Sequence, residues 1–167
     1  RRIARVQPSA KLPQHQPPCR SEIADRVHLT DCGNWAESAS WAIPPDATSG
    51  VYFARLVRED VRAASHVFFV VRDDQSRSTV LFQTSDATWQ AYNDYGGFGT
   101  YTVPATAKAS YNRPFTTKTA SHGHAVESWV LYSEYPMIRW LESNGYDLSY
   151  FSSVDSDRFG ARLRDHR

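Results

Sequence analysis

The residues whose types could do chemistry fall in two short runs. The first is Thr88-Trp89-Gln90-Ala91-Tyr92-Asn93-Asp94-Tyr95-Gly96-Gly97. It sets the phenols of Tyr92 and Tyr95 and the amide of Asn93 beside a glycine pair that lets backbone or a ligand come close. A turn with packed aromatic rings would use the same residues. The glycines do not form a dinucleotide fingerprint, because their spacing is wrong and no helix opens there. The second run is His122-Gly123-His124-Ala125-Val126-Glu127. His122 and His124, two apart, suit one face of a strand and a divalent metal, but Glu127 is then out of phase. A solvated loop is the plainer reading. No Gly-x-Ser-x-Gly elbow occurs, so a serine nucleophile of that kind is discounted. Cys19 and Cys32 are too few for a disulfide framework or a zinc site. They are expected as two unpaired thiols in a reducing cytoplasm.

The elements that must position these residues have to come from a chain of 167 residues, long enough to bury a core. Hydrophobic residues make up 41% and charged residues 22%, a globular composition. A net charge of +1 gives no concentrated basic face, so neither nucleic acid nor a membrane surface is expected as a partner. No apolar run approaches the ~20 residues of a membrane span. With 8 Phe, 9 Tyr and 5 Trp, aromatic rings must fill a core or an interface.

Along the chain, residues 1–31 read as extended coil, with Pro13, Pro17 and Pro18 restricting the backbone. Residues 32–74 read as the end of a β-sandwich. Val51-Tyr52-Phe53-Ala54-Arg55-Leu56 alternates, and Val67-Phe68-Phe69-Val70-Val71 is an apolar run expected to be covered on both faces. Pro44-Pro45-Asp46 and Ser49-Gly50 mark turns, and Asp73 to Ser78 is a polar linker. Residues 75–167 read as an incomplete parallel α/β domain. Thr79–Gln83 is a strand, Ser85 and Asp86 cap a short helical turn through Tyr92, and coil runs to about residue 126. Glu134–Asn144 is the best helix, with Ser133 as N-cap, Met137, Ile138 and Leu141 on one face and Gly145 as the stop. Tyr146–Phe151 is a second strand. Asp155, Asp157, Arg158 and Arg162-Leu163-Arg164 read as solvated surface or as a packed connector. Too few strands are present to close either part, so the chain is expected to be a fragment of a larger protein.

Four ordered blocks make a family resemblance specific. They are Asp31-Cys32-Gly33-Asn34-Trp35; Ser49-Gly50-Val51-Tyr52-Phe53-Ala54-Arg55-Leu56; Thr88-Trp89-Gln90-Ala91-Tyr92-Asn93 with Gly96-Gly97; and Arg139-Trp140-Leu141-Glu142 with Gly145-Tyr146-Asp147. Together they resemble the large (beta) subunit of N,N-dimethylformamidase from about Asp31 onward. The resemblance implies a β-sandwich joined to a glutamine-amidotransferase-like α/β domain. It also implies hydrolysis of the C–N bond of a small N-substituted amide. The cofactor it implies is one mononuclear Fe³⁺ held by two tyrosines and a glutamate, and the partner a small subunit, hence a hetero-oligomer in the cytoplasm. On this resemblance Tyr52 is the first tyrosine ligand and Tyr92 the second, with Tyr95 the competing choice. The family's glutamate and histidine belong to a His-Asp-Glu-Tyr block that this sequence lacks, so the chain alone is expected to be inactive. Phenolates are hard anionic donors suited to a hard cation. Ionising a phenol of ordinary pKa ~10 at neutral pH costs about 4 kcal/mol, which the metal bond must offset. The contrasting reading is a non-catalytic β-sandwich module that binds a ligand or carbohydrate on exposed Trp35, Trp41 and Tyr52; otherwise these rings fill the core.

Overall fold

The computed structural model describes residues 4–8, 14–61, 63–115 and 130–166. Its architecture is mixed α and β, with three separate two-stranded sheets and a few short helices. Among the described residues each of the first two sheets is a single antiparallel hairpin, so strand pairing is local in the first part of the chain.

The first sheet lies where coil was expected. Strands β1 (Arg20–Ala24) and β2 (Val27–Asp31) pair antiparallel, from Arg20 opposite Asp31 to Ala24 opposite Val27. The reversal rests on Asp25 at φ 49, a left-handed conformation that Asp tolerates because its short side chain is polar. Without an Asn-Gly or Asp-Gly signature this turn is hard to see in sequence. The base of the hairpin is closed by a Cys19–Cys32 disulfide, with Cα atoms 4.3 Å apart and a sequence separation of 13. The expectation of two free thiols is therefore corrected. The hairpin brings the flanking residues together, and such a bond persists only where the surroundings are not reducing.

Strands β3 (Gly50–Arg58) and β4 (Ala63–Val71) form the second hairpin, Gly50 opposite Val71. The 67–71 run is not covered on both faces as expected. Val71 is buried at the base of the hairpin, whereas Val67, Phe53, Leu56 and Val57 are exposed. The hairpin is moored at its base by Ser49, whose hydroxyl donates to Val71 O (3.0 Å) and accepts from Tyr150 N (3.0 Å).

The third sheet has the parallel pairing the sequence predicts. β5 (Val80–Gln83) runs beside β6 (Leu148–Phe151), Val80 opposite Leu148. Helix α1 (Asp86–Tyr92) follows β5. The expected helix over 134–144 is present as α3 (Tyr135–Ser143), and a short α2 (Val130–Ser133) precedes it. Of its expected apolar face only Ile138 is buried, while Met137 is 52% exposed. Gly145 stops α3 at φ 71, as a C′ glycine should.

Helix α4 (Ser153–Phe159) begins at a capping box. The Ser152 hydroxyl accepts from Asp155 N, and the Asp155 carboxylate accepts from Ser152 N. A 3₁₀ turn, Gly160–Asp165, follows. Asp155 also accepts from Arg72, which with Arg162 flanks the Phe159 ring at 5.0 and 5.3 Å, while Asp74 pairs with both guanidiniums. Asp155 and Arg162 thus form a packed connector rather than solvated surface.

The apolar core is small. Trp89 and Val130 are buried together, with Val51, Phe68 and Phe115 against them. Thr84, Asp86, Gln90, Asn93, Arg113 and Glu134 are buried too. No helix among the described residues is long and apolar enough to cross a membrane.

The hairpin staple is tested by counting thiols. Unfolded without reductant, the protein should show no reactive thiol, and two after reduction. A Cys19→Ser/Cys32→Ser double variant should lose about 3 kcal/mol of stability in denaturant titration, the value for a loop of this length. The connector carries a pH signature. Burial alone would raise the Asp155 carboxyl, but hydrogen bonds from Ser152 and the Arg72 guanidinium outweigh it and hold the group below its ordinary 3.8. A depressed carboxyl stabilises fully above the unfolded value and loses that effect as pH falls through the folded one. Asp155→Asn should therefore cost about 1–2 kcal/mol at neutral pH, and the deficit should shrink below about pH 4.

Candidate functional site

The chemistry-bearing residues sit on α1 and the loop after it, so the site begins with what fixes that helix. At its N-terminal end Ser85 is the N-cap but makes no capping bond to the helix backbone. Its amide (2.7 Å) and hydroxyl both donate to Glu134 Oε1, which also accepts from Trp89 Nε1 (3.0 Å). Glu134 therefore lies at the break between α2 and α3 with one oxygen saturated. The other, Oε2, is buried and unpartnered. Asp86 Oδ1 accepts from Thr84 Oγ1 (3.0 Å) and Ser153 N (2.6 Å), and Oδ2 accepts from the Tyr111 hydroxyl (2.9 Å). One carboxylate thus joins the end of β5, the start of α4 and the loop at 111.

At the C-terminal end the clamp is Arg113, 6% exposed. Its guanidinium donates to Gln90 O (3.0 Å), Phe98 O (3.2 Å), Tyr95 O (3.4 Å) and Ser110 O (2.9 Å). Burial pushes its pKa down, and the charge of Asp94 partly restores it. These carbonyls include the unsatisfied end of α1, where a cation is favourable. Asn93, fully buried, adds a bond from its amide to Pro114 O (3.0 Å).

Tyr92 is the last residue of α1. It is half-buried and stacks on Tyr101, ring centroids 4.6 Å apart. Its hydroxyl has no hydrogen-bond partner among the described residues, and the same holds for Tyr95. Tyr52, on β3, packs against Phe69 (5.9 Å) and Trp41 (6.4 Å), and its hydroxyl donates to Thr48 O (2.7 Å). Tyr52 and Tyr92 are held by separate partners and share no neighbour in these contacts. Two other phenols are locked as donors. Burial, then the hydrogen bond to Asp86, pushes Tyr111 far up; burial, then the bond to Glu142 (2.7 Å), does the same to Tyr150. Ionising either of them would therefore cost more than ionising an ordinary phenol.

Between β4, α1 and the 111–115 loop lies a cavity of about 620 Å³. Trp35, Phe68, Trp89 and Phe115 give it aromatic walls, and Asp86 and Tyr111 give it a polar corner. Neither Tyr52 nor Tyr92 lines it. Trp35, Trp41 and Tyr52 do not fill the core, since none of the three is buried. Trp35 is 37% exposed with its indole N–H donating to Pro17 O (2.9 Å), and Trp41 meets Phe69 edge-on at 63°.

His122, His124 and Glu127 lie outside the described residues. Among those described, no group of three or more His, Cys, Asp or Glu could hold a metal ion, a donor set that does not include tyrosine. Sequence reasoning missed Arg113, Glu134 and Tyr111. Arg113 stands before a proline in apparent coil, and nothing local marks it. Asp86 was visible only as a helix cap.

The family model described as N,N-dimethylformamidase beta subunit-like, C-terminal, matches residues 1–167. No curated protein matches the chain at a significant level.

Removing the clamp should strand buried carbonyls. Arg113→Met should destabilise the protein by about 2–4 kcal/mol in denaturant unfolding. It should also raise amide exchange through residues 95–100, while β1–β2 stays protected. Unchanged exchange in that loop would show that Arg113 does not hold it.

Proposed function

The chain belongs to the N,N-dimethylformamidase beta subunit-like family, and from that membership we propose that it serves an iron-dependent amidohydrolase acting on a small N-substituted amide. The observation that carries this reading is the family match over the whole chain. The family's description names a subunit, so the reading includes a multi-subunit enzyme with a smaller partner.

Tyr52 and Tyr92 are the proposed protein ligands to one ferric ion, with a glutamate as the third. The donor chemistry fits. Tyr92 presents a hydroxyl that no group among the described residues claims. Tyr52 would exchange a single local bond to Thr48 O, worth about 1 kcal/mol, for the metal. Tyr111 and Tyr150 are excluded from the role because their carboxylate partners hold their protons in place. Tyr95 remains the competing choice to Tyr92, its hydroxyl being equally unclaimed.

Ferric iron, when bound, supplies Lewis acidity that polarises an amide carbonyl and activates water. The chain's own residues do the rest. Each tyrosine gives up its proton and presents oxygen. Arg113 holds the loop after Tyr92, and Glu134 and Asp86 hold the helix before it, so the phenol is positioned from both ends of α1. Precise placement of ligands by supporting hydrogen bonds is what such centres require.

The test uses the natural protein that carries this chain, loaded with ferric iron and assayed on N,N-dimethylformamide. A phenolate-to-iron absorption band and release of formate and dimethylamine are expected. Tyr52→Phe and Tyr92→Phe should each remove most of the band and lower turnover at least a hundredfold, with unfolding midpoints little changed. Full iron and an intact band in Tyr92→Phe, with loss in Tyr95→Phe, would move the ligand to Tyr95. Retention in all three would end the reading.

A further inference from the structure

We propose that Tyr101 is a positioning residue for Tyr92, its stacked ring fixing the plane in which Tyr92 presents its hydroxyl. This rests on Tyr92 being a ligand. Tyr101 is 67% exposed, so the protein gains little from burying it. Yet its ring stacks on Tyr92 at 4.6 Å with planes 29° apart, a favourable offset arrangement.

The loop that carries Tyr101 is built onto the end of α1. Thr100 N donates to Ala91 O (2.9 Å), so the residue before Tyr101 caps the carbonyl of the residue before Tyr92. Gly99 lies so close that a Cβ there would meet Asn93 O at 3.1 Å and Thr102 Cγ2 at 3.3 Å. Thr102 Oγ1 accepts from Gly99 N (2.8 Å), and Thr106 N donates to Gly99 O (3.0 Å). Arg113 binds Phe98 O from below. Tyr101 is therefore placed by backbone bonds on both sides and does not depend on its own side chain for its position.

A phenolate ligand needs its ring plane set as well as its oxygen delivered. Among the described residues the Tyr92 hydroxyl has no hydrogen-bond partner, and Tyr92 sits at a helix end, so its ring is held against χ2 rotation, which is soft for aromatic residues, by its packing. Tyr101 supplies the missing wall. Its own oxygen is not required, only its face.

The experiment compares Tyr101→Phe and Tyr101→Ala in two states of the protein. In the metal-free state, the ring-flip rate of Tyr92 is read by NMR with labelled tyrosine. In the ferric state, iron affinity is read by competition with a chelator, and the position of the phenolate band by absorption. Far-UV circular dichroism and thermal midpoint should stay unchanged for both variants. Tyr101→Ala should speed the flip, weaken iron binding about two- to tenfold and shift or broaden the band. Tyr101→Phe should match the parent protein in all three. Equal flip rates in parent and Tyr101→Ala overturn the positioning role. Loss of iron in Tyr101→Phe as complete as in Tyr101→Ala also overturns it, since the Tyr101 oxygen would then be the ligand. A faster flip in Tyr101→Ala with iron binding and band unchanged, together with full iron in Tyr92→Phe, sinks the ligand reading of Tyr92 and this role with it.

Discussion

A buried guanidinium cannot be left without partners, and in this protein the geometry around α1 follows from satisfying Arg113. Desolvating a cation costs several kcal/mol unless strong acceptors surround it. Here the acceptors are backbone carbonyls of Gln90, Tyr95, Phe98 and Ser110, contributed by the helix end, the glycine loop and the stretch leading to Arg113 itself. Each carbonyl needs a donor as much as Arg113 needs acceptors. The three segments are therefore fixed to one another by mutual need, and Tyr92 lies inside the bracket they form.

The same logic runs through the rest of the interior. Glu134 gathers Ser85 and Trp89, Asp86 gathers Thr84, Ser153 and Tyr111, and Ser49 ties the β3–β4 hairpin to β6. Buried polar groups outweigh buried apolar ones in shaping this region. Such networks are directional, so they specify position more sharply than hydrophobic contact does. Together they fix α1, whose last residue is Tyr92. The β1–β2 hairpin contributes from outside. His28 stacks on Phe98 at 4.3 Å, and Thr30 packs so closely over Gly96 that a Cβ there would lie 2.2 Å from its hydroxyl. Gly96 is thus needed twice, for its φ of 89 and for that approach.

Several features were legible because they depend on neighbours in sequence. The 44–47 turn, with Ala47 N on Pro44 O, follows from its prolines and aspartate. The α1 turn after β5, the parallel β5–β6 pair and the Gly145 stop follow from apolar runs and their punctuation. The family was legible too, since ordered blocks such as Ser49–Leu56 and Thr88–Asn93 carry far more information than any single residue. Less legible were the extent of cover over a strand and the role of the residue at a helix start. The 67–71 run looks like a strand buried on both faces, but cover comes from whatever packs on it. Likewise Glu134 looks like an ordinary helical residue until its carboxylate is seen turned toward Ser85 and Trp89.

By itself the sequence determined the kind of chain this is and the family it belongs to, and only through that family resemblance did it point to Tyr52 and Tyr92. Ordered blocks of residues carry that information before any fold is known. Only the tertiary structure decided that Cys19 and Cys32 pair, that Arg113 clamps the loop after Tyr92, that Tyr111 and Tyr150 bond to carboxylates, and that Tyr101 stacks on Tyr92. Each of these joins residues separated along the chain, and a hydrogen bond or stacked ring exists only once folding has brought its two halves within reach.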